Sequence, residues 1–374
     1  MISDERSPTV DSPAGGGLGR CYTLSPGIDY AVIAEKRLVF KSSSVKVEME
    51  GESAVAFGRQ VVPLLSAERS VEDLSALTGY DPQDLSSHLS GLHDSGVLSH
   101  ERRAAADERT AASALHELLE PLGYSAGHVS KRLSAQKVAV LGLESAGVEI
   151  ALQLGLAGFG EIHLYDPGLP RPDDPAAIYG ADPKARHALA AGYLPGRGVR
   201  SLVHASSADG WTKEEVARLA GAADILVCAI DTDNAHVAHW VNKAVFETGK
   251  IAAFVSMQGG KAVAGPIVFP HETACFMCYR MRYLAARDDF AADMAFEEQR
   301  DKRRQASAFR DPCLPSLLPV AAGILSAEII KTVLSAGRHG LAGRIIEYDG
   351  FEGRFTEHEV LAQPNCPVCS KKNS

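Results

Sequence analysis

The sequence predicts an α/β protein: a Rossmann-like domain with a mainly parallel sheet, preceded by a small winged-helix domain. Three observations predict it. The stretch Gln136 to Gly168 runs strand, glycine turn, helix, strand, acidic residue, which is the first half of a nucleotide-binding βαβ unit. A second buried strand pattern, Asp224 to Ile230, ends on the acidic tip DTDN and is followed by a helix. Ahead of both lie three strand-like runs and three short helical ones.

The chain of 374 residues is long enough for two cores. A formal charge of −9 argues against a surface built for nucleic acid. No apolar run reaches the roughly eighteen residues of a membrane span, so no membrane is expected as partner. Residues 1–19 are polar and glycine-rich without a secretory apolar stretch, and read as a disordered lead-in. Seven cysteines without such a stretch point to reduced thiols and metal, in a cytoplasmic protein.

The first domain spans residues 20–100. Strand-like runs fall at Tyr30–Ala34, Arg37–Lys41 and Val45–Glu50. In the last, Val45, Val47 and Met49 alternate with Lys46, Glu48 and Glu50, the period of a half-buried strand. Helical runs follow at Ser53–Leu65, Ser70–Thr78 and Pro82–Ser95. The third has Asp81 as N-cap, Pro82 at the first helical position and a stripe of Leu85, Leu89 and Leu92. A winged helix usually reads DNA, but Asp81 to His100 contains no Lys or Arg. A recognition helix without cations cannot neutralise phosphates, so nucleic acid is excluded as a partner.

The pattern from Leu24 to Leu98 resembles the PqqD-like leader-recognition domain of ribosomal-peptide biosynthesis. The resemblance implies that a precursor's leader adds as a strand beside Val45, Lys46, Val47, Glu48 and Met49 and rests on the face of Leu85, His88 and Leu89. Backbone pairing at an open edge would supply affinity, and pockets for alternate side chains specificity. A structural module that binds nothing is the alternative. Residues 101–124 read as a charged linker helix.

The second domain spans residues 125–374. Its glycine turn reads Gly142-Leu-Glu-Ser-Ala-Gly147, with Glu144 and Ser145 where a phosphate cradle favours glycine. Further strands are expected at Ser201–His204, Ile251–Val255 and Ala262–Phe269, with helices at Asn234–Thr248 and Leu314–Leu334. Strands alternating with helices give a parallel sheet covered on both faces. Asp166, Asp231 and Asp233 fall at the carboxyl ends of strands, where such sheets bind ligands.

The cysteines carry the strongest chemical signal. Cys275-Phe-Met-Cys278 and Cys366-Pro-Val-Cys369 are two CxxC knuckles; four thiolates converging on zinc make a closed, structural site. Redox chemistry would need only one pair, after a strand. Cys228 reads as core. Cys313 has no base nearby in sequence, which favours packing or chance over a nucleophile's role.

The glycine turn, Asp166, PKA around Lys184, DILVCAIDTDN, HWVNKA, the paired knuckles and PVAAGILSAEIIKTVL together resemble the ThiF/MoeB ubiquitin-activating-type fold over Tyr124 to Cys369. With the front domain, the chain is similar to the MccB-type peptide-adenylating enzymes and the cyclodehydratase C or Ocin-ThiF-like group. The resemblance implies ATP and magnesium, with Asp166 on the ribose, Lys184 on phosphates and Asp231 or its rival Asp233 on the metal. Arg171 would replace the arginine of the family's Asn-x-x-Arg-Gln stretch, which is shortened here to LPRP. It also implies a homodimer, a precursor-peptide leader and a YcaO-type enzyme as partners. The altered turn and shortened stretch fit the cyclodehydratase group, in which the fold presents peptide to that partner.

Overall fold

The computed structural model describes residues 20–370 except 26, 43–44, 101–109, 145, 171–183, 231–234, 303–313, 315 and 338. The chain divides into two units, Met1–Ala126 and Gly127–Ser374.

In the smaller unit, apolar–polar alternation makes the strands and capped apolar stripes make the helices. Strands β2 (Asp29–Ile33), β3 (Arg37–Lys41) and β4 (Lys46–Glu50) form an antiparallel sheet in that order. A second small sheet places β1 (Cys21–Leu24) between β5 (Arg69–Ser70) and β6 (Leu98–Ser99). Helix α1 (Glu52–Gln60) continues into a 3₁₀ turn, Val62–Ser66. Ser70 and Asp73 cap α2 (Val71–Thr78) reciprocally, and Gly79 ends it in the left-handed region that glycine adopts without strain. Asp81 caps α3 (Pro82–Asp94) by accepting from the Gln83 and Asp84 N–H groups. Helix α4 (Ala111–Leu119) falls in the same unit. Leu38, Phe40, Phe57, Leu65, Leu74, Leu85 and Leu89 form the core.

The larger unit is built on one eight-stranded sheet. Its elements in chain order are α5 (Ala126–Ser134), β7 (Lys137–Leu141), α6 (Ala146–Ala157) and β8 (Glu161–Tyr165). Then come α7 (Arg186–Tyr193), β9 (Leu202–Ala205), α8 (Lys213–Ala222), β10 (Ile225–Cys228) and α9 (Ala235–Thr248). They are followed by β11 (Ile251–Gln258), β12 (Lys261–Val268), α10 (Phe276–Ala285), α11 (Phe290–Lys302), α12 (Leu317–Leu334), β13 (Arg344–Asp349) and β14 (Arg354–Glu359). The sheet order is β14-β13-β12-β11-β10-β7-β8-β9. From β9 to β11 the pairing is parallel; β12, β13 and β14 add on antiparallel. The Rossmann-like expectation therefore holds, with an antiparallel extension.

Chain order reverses between β7 and β10, whose neighbours lie on opposite sides. A crevice opens at such a switch point, outside the carboxyl ends of the strands. One composition-based expectation is corrected. Helix α12, with a mean hydropathy of 1.8 over 18 residues, is long and apolar enough to cross a membrane. It is instead half-buried within the fold, with Ala321, Ala322, Leu325 and Ile329 inside. Its apolar character extends around the helix because it is a core helix.

Candidate functional site

The crevice is built by the turn after β7. Gly142 has φ +86°, and a Cβ there would meet the Ala229 carbonyl oxygen, just past β10, at 2.5 Å. A Cβ on Gly147 would lie 1.8 Å from the Gly142 carbonyl oxygen. Both glycines of the sequence fingerprint are thus required by close backbone approach. Asp166, at the tip of β8, holds the turn shut. Its carboxylate accepts from the Leu143 N–H at 2.8 Å and the Gly168 N–H at 2.9 Å.

Asp166 is only 2% exposed and shares its pocket with Arg186 and Glu144, also buried. Arg186 Nη1 stands 3.5 Å from Asp166 Oδ1 and 3.6 Å from Glu144 Oε1. The arginine is delivered by the first turn of α7, whose Arg186 and His187 N–H groups donate to the Gly168 and Asp166 carbonyls. The acid at 144, out of place beside a phosphate, thus has a cationic neighbour inside the fold. Sequence reading passed over Arg186. Its signal was an arginine at the same helical face as Ala190, both buried.

Burial is the main cause that pushes the Asp166 carboxyl up, to about 6; Arg186 pulls it down and Glu144 pushes it further up. The unfolded value is near 3.8, so the folded state binds this proton more tightly. The associated stability is fully present below about pH 4 and lost as the pH rises through about 6, a change of roughly 3 kcal/mol. Urea midpoints followed from pH 4 to 7 should therefore fall for the wild type relative to Asp166→Asn. Two parallel profiles would count against a proton held at this carboxyl.

Lys184 is exposed, two residues before Arg186 at the start of α7. Arg171, Asp231, Asp233 and Cys313 lie outside the described residues. In the smaller unit, Val45, Val47 and Met49 pack against the core, while Lys46, Glu48 and Glu50 face out. Glu48 pairs with Lys46 at 2.6 Å and Arg37 at 3.3 Å. Leu85 and Leu89, read from the sequence as a peptide-facing surface, are instead 1% and 0% exposed. They are the stripe by which α3 enters the core, and His88 is the exposed member of that trio. Its ring lies 6.1 Å from Phe57 of α1.

The two knuckles converge. Cys275 is the N-cap of α10 and Cys278 lies in its first turn. Sulfur separations are 3.8 Å for Cys275–Cys278, 3.5 Å for Cys275–Cys366 and 3.3 Å for Cys278–Cys369. Tetrahedral zinc with bonds of about 2.3 Å sets its sulfurs roughly 3.8 Å apart, so the donor set fits zinc. The surroundings fit too. The Gln363 N–H donates to Cys278 Sγ at 3.2 Å, and Asn242 accepts from the Phe276 N–H at 3.0 Å. Burial pushes the Cys275 thiol up to about 12; a cation is what makes such a thiol a thiolate. Cys228 is buried core as expected, its thiol likewise pushed up to about 12 by burial.

A family model described as the ThiF family matches residues 122–368. No curated protein matches the chain in sequence. Among solved structures, E. coli MccB with MccA-N7isoASN shares 17% identity and a TM-score of 0.67, over 94% of this chain and 100% of that one. E. coli MccB with ATP gives 17% and 0.66, over 93% and 99%. A heterocyclase in complex with substrate and cofactor gives 17% and 0.59, over 93% of this chain but only 39% of that one. At such identities the likenesses establish a shared fold.

Proposed function

Because the chain belongs to the ThiF family, we propose that it serves the maturation of a ribosomally made peptide. The smaller unit takes the precursor's leader as an added strand on β4. The larger unit receives the core peptide for ATP-dependent cyclodehydration of Cys, Ser or Thr by a YcaO-type partner. The protein works as a homodimer in the cytoplasm, where unpaired thiols persist.

One observation carries the reading. β4 is an outer strand, paired among the described residues only with β3. It offers an alternating rim of half-buried Val47 and Met49 between outward charges. Main-chain groups on such a rim accept an extended guest, and the alternation sorts its side chains. The solved relatives with peptide or substrate bound are consistent with that use. Dependence on a partner's ATP is supported by the crevice. Asp166, the residue implied to hold ribose, is already engaged by two N–H groups and Arg186, and Glu144 sits in the turn.

Fluorescence polarisation of a labelled leader peptide tests the rim. Prolines placed at alternate leader positions, not in the protein, should each weaken binding roughly tenfold where they remove a ladder hydrogen bond. Binding that ignores proline position, or an equal preference for duplex DNA, would remove β4 pairing from consideration.

A second reading, adenylation of a peptide carboxylate or side-chain acid by this chain alone, is favoured by the intact turn geometry at Gly142 and Gly147 and by the switch-point position of Asp166. In it ATP supplies the activating phosphoryl chemistry. Lys184 would neutralise phosphate charge, and Asp231 or Asp233 would hold magnesium. Pyrophosphate release with peptide and ATP but no partner separates the two. Turnover by the chain alone that Lys184→Ala or Asp231→Ala lowers by about a hundredfold or more would replace the partner-dependent reading.

A further inference from the structure

The rim of the larger sheet opposite β14 carries a cluster that peptide maturation leaves unused. β9 is the outer strand there, paired in parallel with β8, and their register sets His163 directly beside His204. Glu161 precedes His163 by two residues, so the strand's alternation puts both side chains on one face. Glu161 Oε2 lies 3.4 Å from His163 Nε2 and 3.7 Å from His204 Nε2. All three donor atoms fall within 4.8 Å of one another.

We infer that Glu161, His163 and His204 form a second metal site, for a borderline divalent cation such as zinc or nickel. The donor chemistry supports it: two imidazoles and one carboxylate are the ligand set of three-ligand zinc centres, with the remaining positions left to water. So does the spacing. Zinc–nitrogen and zinc–oxygen bonds near 2.0–2.1 Å put tetrahedral ligand atoms about 3.3–3.4 Å apart, close to the separations found. His163 Nε2 is out of solvent, and its 3.4 Å approach to Glu161 Oε2 does not meet good hydrogen-bond geometry, an arrangement that a shared cation would complete. The two rings stack at 4.6 Å with an interplanar angle of 14°, so both Nε2 atoms address the same oxygen.

The neighbouring cations do not occupy the position. Lys137 Nζ takes the other carboxylate oxygen, Glu161 Oε1, at 2.8 Å. That contact orients Oε2 toward the histidines as an outer partner orients a ligand. Arg218, on α8, is engaged by Glu215 through two contacts of 2.7 Å. Cys275 follows β12, toward the opposite end of the sheet order, so this centre is separate from the four-cysteine one.

The test uses the full chain given a single equivalent of zinc, which the four-thiolate centre takes first, so that the second site enters the titration empty. Calorimetric titration with nickel should show one further equivalent bound. His204→Asn, at a half-exposed position that the fold does not need, should weaken that binding by at least 10–100-fold, as should Glu161→Gln. Cobalt in place of nickel should give the weak visible bands of nitrogen and oxygen ligands without thiolate charge transfer. Absence of a further equivalent, or affinity unchanged in His204→Asn, overturns the assignment. Should His163→Asn fail to fold, the His204 and Glu161 variants decide alone. None of these outcomes depends on leader binding, so the site and the peptide reading stand or fall separately.

Discussion

Replacing Cys275 by serine is expected to cost the larger unit its cooperative fold. The reason is the chain distance that the sulfurs span: Cys275 meets Cys366 across 91 residues, and Cys278 meets Cys369 across another 91. Among the described residues, the segment after β14 is otherwise held by a few local contacts, including the Val360 N–H donating to the Gly343 carbonyl at 2.9 Å. Val360 is buried, and Arg282 donates from its Nε to the Leu361 carbonyl at 2.9 Å. A structural zinc on four thiolates contributes apparent binding energy on the order of 10–16 kcal/mol, comparable with or above the whole stability of an ordinary domain. Loss of one ligand should release zinc, measurable by a colorimetric chelator, and abolish the cooperative thermal transition of the larger unit. Chelation of the wild type should do the same, and re-addition of zinc should restore the transition. A Cys275→Ser protein that melts within a few degrees of wild type would dismiss the metal as a folding element.

The second large effect is expected at Arg186. Its guanidinium is buried between two buried carboxylates, Asp166 and Glu144. Removing one partner from a buried ionic cluster leaves uncompensated charge, typically costing about 3–5 kcal/mol. Arg186→Ala should lower stability by that amount at pH 7, read from urea unfolding. The loss should shrink as the pH falls, because protonation of Asp166 removes one of the stranded charges. Glu144→Gln in the Arg186→Ala background should recover part of the loss for the same reason. A loss below about 1 kcal/mol, or no recovery by the second substitution, would mean that the cluster is wet and weak.

Those two sites differ in how legible they were. The four cysteines announce themselves by residue type and by two matching intervals, which chemistry alone interprets. The parallel half of the sheet was equally readable. The apolar runs at Val138–Leu141 and Asp224–Ile230 have strand length and end in turn signals, and β7 and β10 fall there. Of the front helices, α3 was announced by its cap at Asp81, while Ser70, read as the first residue of a helical run, is the N-cap of α2. By contrast β5 and β6 are two residues each. Nothing periodic survives in so short a run, and their pairing with β1 exists only through tertiary contact. The hairpin β13–β14 was missed because RIIEYD and RFTEHE alternate weakly: β13 is partly buried along its whole length, and β14 exposes most of its side chains.

The charge cluster shows a different limit. Glu144 looked like a defect in a phosphate cradle until Arg186, more than forty residues on, was seen beside it. Leu85 and Leu89 erred the other way. A leucine stripe at helical spacing says only that one face is buried, and the core of the smaller unit buries it. The histidines at 163 and 204 needed the strand register, which no local pattern contains.

The composite sheet also dictates an order of assembly. β11 meets β12, and β13 meets β14, as hairpins closed over short turns. The crevice instead waits for β10 to find β7, an encounter spanning 87 residues. Loop closure over such a distance is entropically slower than hairpin formation. In refolding, amide protection should therefore arise at Ile251–Val268 before it reaches Val138–Leu141. The switch-point groove is then the last part to acquire shape, and the part most exposed to capture while the chain is young.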